Sequence, residues 1–116
     1  YFQSLDNENN RDFVAAFKEM HGEDSVIGDS TQAAYLGPWI WKAAVEAANS
    51  FDVDKVNETL PGIELDMAPE GYVRVHDENR HLWSRARIAR WNSDGQATVV
   101  WESDELIEPN PFPEGY

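Results

Sequence analysis

The stretch Thr31-Gln-Ala-Ala-Tyr-Leu-Gly-Pro-Trp-Ile-Trp-Lys-Ala-Ala-Val-Glu-Ala-Ala-Asn49 decides the reading of this chain. Leu36, Ile40, Ala43, Ala44 and Ala47 recur at three- and four-residue spacing, with Tyr35, Trp39 and Ala48 beside them. That period predicts a helix over about 31–49 with one broad apolar stripe. The Ala-rich end has high helix propensity and small side chains suited to close packing. Pro38 removes one helical hydrogen bond and crowds the carbonyl four residues back, so a kink or a helix start is expected there. Ser30 or Asp29 can cap the segment. Trp41 falls off the main stripe and is the member expected to face a partner.

Upstream, Asn10 to His21 reads as an amphipathic helix, with Phe13, Val14, Phe17 and Met20 on one side and Gly22 as its stop. Glu23 to Asp29 is a loop holding the short apolar patch Val26-Ile27. Tyr1-Phe2-Gln3-Ser4 is the end of a protease-cleavable tag site in appearance, so residues 1–4 are set aside as a tag remnant and 5–116 is read as a single domain.

Downstream, Asp52 to Leu60 predicts a short third helix with Val53, Val56 and Leu60 inward, ended by Pro61-Gly62. The period then changes. Tyr72–Val75, Arg85–Trp91 and Ala97–Glu102 read as strands, and Asn92-Ser-Asp-Gly95 supplies the turn between the last two, with Gly95 free to take positive φ. The tail from Ile107 holds Pro109, Pro111 and Pro113 and is expected to be extended, pinned by Phe112 and Tyr116. The fold class is therefore α+β: two longer helices and one short helix packed on a small antiparallel sheet of about three strands.

Composition narrows the function. Apolar residues make up 41% and aromatic residues 12% of the 116, which excludes a disordered chain. No apolar run approaches the ~20 residues a membrane span needs, so no membrane insertion is expected. Nine Lys and Arg against 22 Asp and Glu give a net charge of −13, which argues against nucleic acid as a partner. The absence of Cys excludes disulfide and thiol chemistry. Five Trp exceed what so small a core absorbs. Trp39, Trp41, Trp83, Trp91 and Trp101 are accordingly interface candidates, and a homo-oligomer is expected.

The chemical constellations are plain. His76 and His81 bracket Asp77-Glu78, but no helix places them on one face, and no metal site is expected. Glu23-Asp24, Asp77-Glu78 and Asp104-Glu105 read as solvated loop charges, no serine sits in a G-x-S-x-G elbow, and no glycine pattern cradles a phosphate. Arg74, Arg80, Arg85, Arg87 and Arg90 read as surface partners of the acidic groups. Neither catalysis nor a cofactor is expected.

Several segments carry a resemblance: Ala33 to Ala48, Phe51-Asp-Val-Asp-Lys-Val56, Leu60-Pro-Gly62, Ala68-Pro-Glu-Gly-Tyr-Val73, Asn79-Arg-His81, Asp94-Gly-Gln96, Val100-Trp-Glu-Ser103 and Pro109-Asn-Pro-Phe-Pro113. In this order they resemble the C-terminal portion of type I periplasmic binding proteins of the urea/short-chain amide class, the substrate-binding components of ABC uptake systems related to branched-chain amino-acid transporters. The resemblance implies part of a two-lobed fold, a small polar solute (urea, an amide or an amino acid) as ligand, no catalysis and a periplasmic or extracytoplasmic location. Tyr35 matches a family tyrosine near the crossover and is the residue it nominates for ligand binding. Pro38 departs from the family pattern. Two alternatives accompany it: a stand-alone self-associating module without a formed cleft, and a fragment of an amide-sensing regulator, both cytoplasmic.

Overall fold

The structure, a computed structural model, describes residues 1–115. Three helices, α1 (Glu8–His21), α2 (Asp29–Ala48) and α3 (Val53–Thr59), precede five short strands. These are β1 (Glu64–Leu65), β2 (Val73–Val75), β3 (Leu82–Trp83), β4 (Arg87–Trp91) and β5 (Ala97–Glu102). The helix boundaries follow local chemistry. Asn7 caps α1 by accepting from the Asn10 backbone N–H, and Gly22 ends it at φ 101°. Asp52 caps α3 by accepting from the Lys55 N–H.

Two expectations about α2 are corrected. Its N-cap is Gly28, which offers no side chain, rather than Ser30 or Asp29. The helix starts there and runs through Pro38, because turns on both sides outweigh the single bond that proline removes. Asn49 ends it in the left-handed region at φ 45°. The inward stripe of α3 is also narrower than predicted, with Val56 buried and Val53 71% exposed. On α1, Phe13, Val14 and Phe17 are half-buried while Met20 stands in solvent.

The three-strand meander does not form as one sheet. β2 sits between β1 and β3, with Leu65 opposite Val73 and Val75 opposite Leu82. β4 and β5 pair only with each other, across the Asn92–Gly95 turn whose Gly95 takes φ 80°. The break lies at residues 84–86. Ser84 bridges to Ile107, and the Arg85 guanidinium donates to the Ser103 and Asp104 carbonyls at 2.6 and 2.7 Å. The Arg85–Trp91 alternation therefore spans Arg85 and Ala86, which lie outside any strand, and then β4, rather than one strand. β1 and β3 have two residues each, too few to show a period.

The core is Leu36 of α2 with Ala68 and Val73, and Tyr35, Ile40, Leu65 and Leu82 pack against it. It occupies one side of α2. The molecule is a slab of 48 × 42 × 22 Å with a radius of gyration of 15.9 Å, against about 13 Å for a compact domain near 100 residues. Its accessible surface is 8021 Å², where a folded monomer of 13.2 kDa has roughly 6,400 Å².

Residues 1–4 are seated on this slab. The Tyr1 hydroxyl donates to Asn10 Oδ1, Gln3 Oε1 accepts from the Ile27 N–H at 2.7 Å, and the Ser4 hydroxyl donates to the Ala97 carbonyl. The tail follows its expectation only in part. Ile107 joins Ser84 and the Pro109 carbonyl accepts from Asn79, but Phe112 is 88% exposed and pins nothing. The role expected for Tyr116 lies outside the described residues.

Candidate solute-binding surface

Tyr35 sits on the flank of the α2 stripe, so its ring borders the core and meets α1. Its centroid lies 4.5 Å from that of Phe13 and 6.1 Å, edge-on, from that of Trp39. Phe13 continues the row to Phe17 at 6.3 Å, and Phe17 to His21 at 4.4 Å. The row exists because α1 repeats aromatic residues at i, i+4 and i+8 and α2 at i and i+4, so each helix presents its rings on one face.

Two shallow recesses flank Tyr35. One, of about 390 Å³, is walled by Phe13, Ala16, Phe17, Met20, His21, Thr31 and Ala34. The other, of about 330 Å³, is walled by Phe13, Ala16, Met67, Asn9 and Asp12. Among the described residues the Tyr35 hydroxyl has no hydrogen-bond partner. The arrangement offers ring faces for stacking and a phenol free to donate or accept.

A larger recess of about 750 Å³ lies between residues 4–7, Glu70-Gly71 and the β4–β5 hairpin. Its two cations are already engaged. Arg87, with a side chain only 8% exposed, donates to Glu102 and to the Glu70 carbonyl, and Arg85 Nε lies 3.7 Å from Glu102. Arg87 is thus a buried structural cation rather than the surface partner expected of it. Arg74 is a half-buried link to Asp77 and Glu64, and Asp77 raises its guanidinium pKa further. Arg90 is exposed.

His76 and His81 are not brought together as ligands. His76 Nδ1 accepts from the backbone N–H groups of Glu78 and Asn79 at 3.1 and 3.3 Å, Nε2 faces Glu108 at 3.1 Å, and Trp83 stacks on the ring. Among the described residues no cluster of three or more His, Cys, Asp or Glu side chains could hold a metal ion.

The tryptophans divide. Trp41, Trp91 and Trp101 are half or more exposed, Trp39 lies at the rim of the aromatic row, and Trp83 is half-buried with its Nε1 enclosed. Trp41 touches Phe51, ring centres 6.0 Å apart, on the side of α2 away from the core. Phe13, Phe17 and Met67 are the surface residues that the sequence reading did not single out. The i, i+4 spacing of the two phenylalanines was the available signal.

The sequence matches the periplasmic binding protein domain family over residues 1–116. The chain belongs to that family. Solved structures share its fold. The solute-binding protein of an ABC transporter from Rhodopseudomonas palustris BisB5, in complex with 3,4-dihydroxybenzoic acid, aligns with TM-score 0.78 and 21% identity, over 94% of this chain and 30% of that one. An ABC transporter substrate-binding protein from Sphaerobacter thermophilus aligns with TM-score 0.74 and 23% identity, over 91% of this chain and 30% of that one. The solute-binding protein from Rhodopseudomonas palustris HaA2, in complex with p-hydroxybenzoic acid, aligns with TM-score 0.70 and 24% identity, over 96% and 30%. A Geobacillus stearothermophilus protein named limonene hydroxylase is 34% identical over 117 residues, covering 97% of this chain and 20% of that protein. The family chain thus spans about three-tenths of the solved relatives and a fifth of the Geobacillus protein. Among the described residues no helix is long and apolar enough to cross a membrane.

Proposed function

We propose that this chain works as the C-terminal portion of an ABC-transporter substrate-binding component, capturing a small solute outside the cytoplasm without catalysis. The observation that carries the reading is the family match over the whole chain, together with an aromatic row that includes a free phenol at Tyr35. Binding proteins need a concave, largely apolar surface with few polar groups aimed into it. The Tyr35 recesses have that character, and the segments that solved relatives possess beyond this portion would close them.

The solute class we favour is a small aromatic acid. Ring faces at Phe13, Tyr35 and Trp39 gain from an aromatic partner through offset or edge-on contact. Urea or a short amide would leave most of that surface unused, and the two Rhodopseudomonas proteins hold hydroxybenzoic acids. Urea, short amides and branched-chain amino acids, the solutes that the resemblance implies, are the competing readings.

The test is an NMR titration of the chain with 4-hydroxybenzoate, 3,4-dihydroxybenzoate, urea, acetamide and leucine. The hydroxybenzoates should shift resonances of Phe13, Tyr35 and Trp39 at millimolar concentration, and Tyr35→Ala should weaken that response at least tenfold. Shifts with urea or leucine alone would replace the aromatic assignment. Identical titrations for the wild type and Tyr35→Ala would remove Tyr35 from the site.

A further inference from the structure

The C-terminal tail is tied to the inner sheet at three adjacent places. The Ile107 N–H donates to the Ser84 carbonyl at 2.9 Å, Glu108 faces His76 Nε2 at 3.1 Å, and the Pro109 carbonyl accepts from Asn79 Nδ2 at 2.9 Å. His76 follows β2 directly and opens the turn toward β3, where its N–H donates to the His81 carbonyl and its own carbonyl accepts from the Arg80 N–H. One ring therefore touches two segments, the 77–80 turn through Nδ1 and the tail through Nε2.

These contacts fix where the ring carries its proton. Backbone N–H groups can only donate, so Nδ1, which faces those of Glu78 and Asn79 at 3.1 and 3.3 Å, presents its lone pair. The single proton of the neutral imidazole then sits on Nε2 and is donated to the Glu108 carboxylate. A second proton has one place to go, Nδ1, and there it opposes two donors. The ring is not free to swing aside. Its side chain is 13% exposed, and Trp83 stacks on it with ring centres 5.7 Å apart and planes 17° apart. Glu108 holds the other nitrogen more firmly once the ring is charged, and a cation over the Trp83 face is favourable as well. The turn is the side that can give way. Asp77 and Glu78 are exposed, and Arg80 sits at φ 60°, a conformation unfavourable for a residue with a side chain.

We propose that His76 is a proton-operated clasp between the 77–80 turn and the C-terminal tail. Neutral, it holds both. Protonated, it lets go of the turn and keeps the tail. Imidazole is the side chain whose charge changes between about pH 5 and 8, so mild acid is the signal. Around the ring, the tail contributes Glu108, the turn contributes Asp77, Glu78, Arg80 and His81, and β2 contributes Arg74. Arg74 is turned to Asp77 at 2.8 Å, Arg80 donates to the Asn57 carbonyl at 3.4 Å, and His81 is exposed. A chain that works outside the cytoplasm, as proposed above, meets the pH of its surroundings. The clasp itself does not depend on the solute assignment.

The test is a heteronuclear NMR titration of the chain with pH, read at the ring nitrogens of His76 and at the amides of Glu78, Asn79, Ile107 and Glu108. At about pH 8 the ring should carry its proton on Nε2. Between about pH 8 and about pH 5 it should gain the second proton. With the same midpoint, the Glu78 and Asn79 amides should lose about threefold or more of their exchange protection, while Ile107 and Glu108 keep theirs. Two variants separate the ends of the ring. His76→Asn keeps an acceptor at the Nδ1 position and cannot charge, so its turn should hold at every pH while its tail loosens. His76→Gln keeps a donor at the Nε2 position, so its tail should hold while its turn stays open at every pH. A proton on Nδ1 at about pH 8, a ring still neutral at about pH 5, or turn amides that ignore the titration would each overturn the proposal. So would a His76→Asn turn that still opens on acidification, because His81 or the turn's own carboxylates would then be responsible.

Discussion

The two small sheets of this molecule are built from similar residues but live in different surroundings. β2 places Val73 and Val75 in the interior between neighbouring strands, with Val73 packed against Leu36 of α2. The β4–β5 hairpin has more extensive pairing, five residue pairs with a register shift between Ile88 and Ala89, yet Ile88 and Trp101, directly opposite each other, are 59% and 50% exposed. Strand pairing and burial are thus separate achievements here. The shorter strands are the better anchored, because Leu36 of α2 packs against Val73, with Leu65 and Leu82 alongside. An isolated two-stranded sheet is marginal in water, and this one is held by a few side-chain links, Ser4 to Ala97 and Arg87 to Glu70 among them.

The sharpest way to break the contrast is to truncate one residue from each region. Leu36→Ala removes the largest side chain of the interior and should cost about 3–4 kcal/mol in denaturant unfolding. Trp101→Ser, which deletes far more atoms from the hairpin, should cost under about 0.5 kcal/mol in the chain alone. If Trp101→Ser matched Leu36→Ala, the hairpin would own a core that the structure does not give it.

Between these extremes lies the N-terminal strap that touches both regions. Asn10 is buried, donates to the Gln3 and Leu5 carbonyls at 2.8 Å and accepts from the Tyr1 hydroxyl. Asn10→Ala leaves those partners unmatched and should cost about 2 kcal/mol, measured by the same unfolding series. A cost near zero would mean that the strap does not hold its place.

The same strap sets the smallest expected effect, a dependence on alkaline pH. Burial pushes the Tyr1 phenol up to about 12 from 10. A raised folded-state value means that the contribution is complete below pH 10 and is lost as pH climbs from 10 to 12. Thermal stability of Tyr1→Phe, which cannot ionise, should fall less than wild type across that window. Parallel curves would remove Tyr1 from the account.

The existence of α1, α2 and α3 was legible from periodicity, with ends marked at Gly22, Asp52 and Pro61, although α1 leaves its apolar side half-buried and α3 buries only Val56. The division of the strands was not. Alternation continues from Arg85 to Trp91, and only the turn of Arg85 toward Ser103 and Asp104 separates the sheets, a contact across 18 residues or more. Tyr35 was reached through a resemblance. Its partner Phe13 was visible as an apolar position on α1, but the pairing of the two rings depends on how α1 meets α2. Exposed tryptophans were inferable from their number, although Trp83 shows that number alone does not say which are covered.

Hydrogen exchange on the isolated chain, read residue by residue, tests most directly the claim that this fold closes on one side only. The account predicts that the amides of Val73 and Val75 exchange only through global unfolding, while paired amides of 87–91 and 97–102 exchange through local opening at least tenfold faster. Equal protection of the hairpin and β2 would contradict it, because the outer surface would then be as firmly closed as the interior.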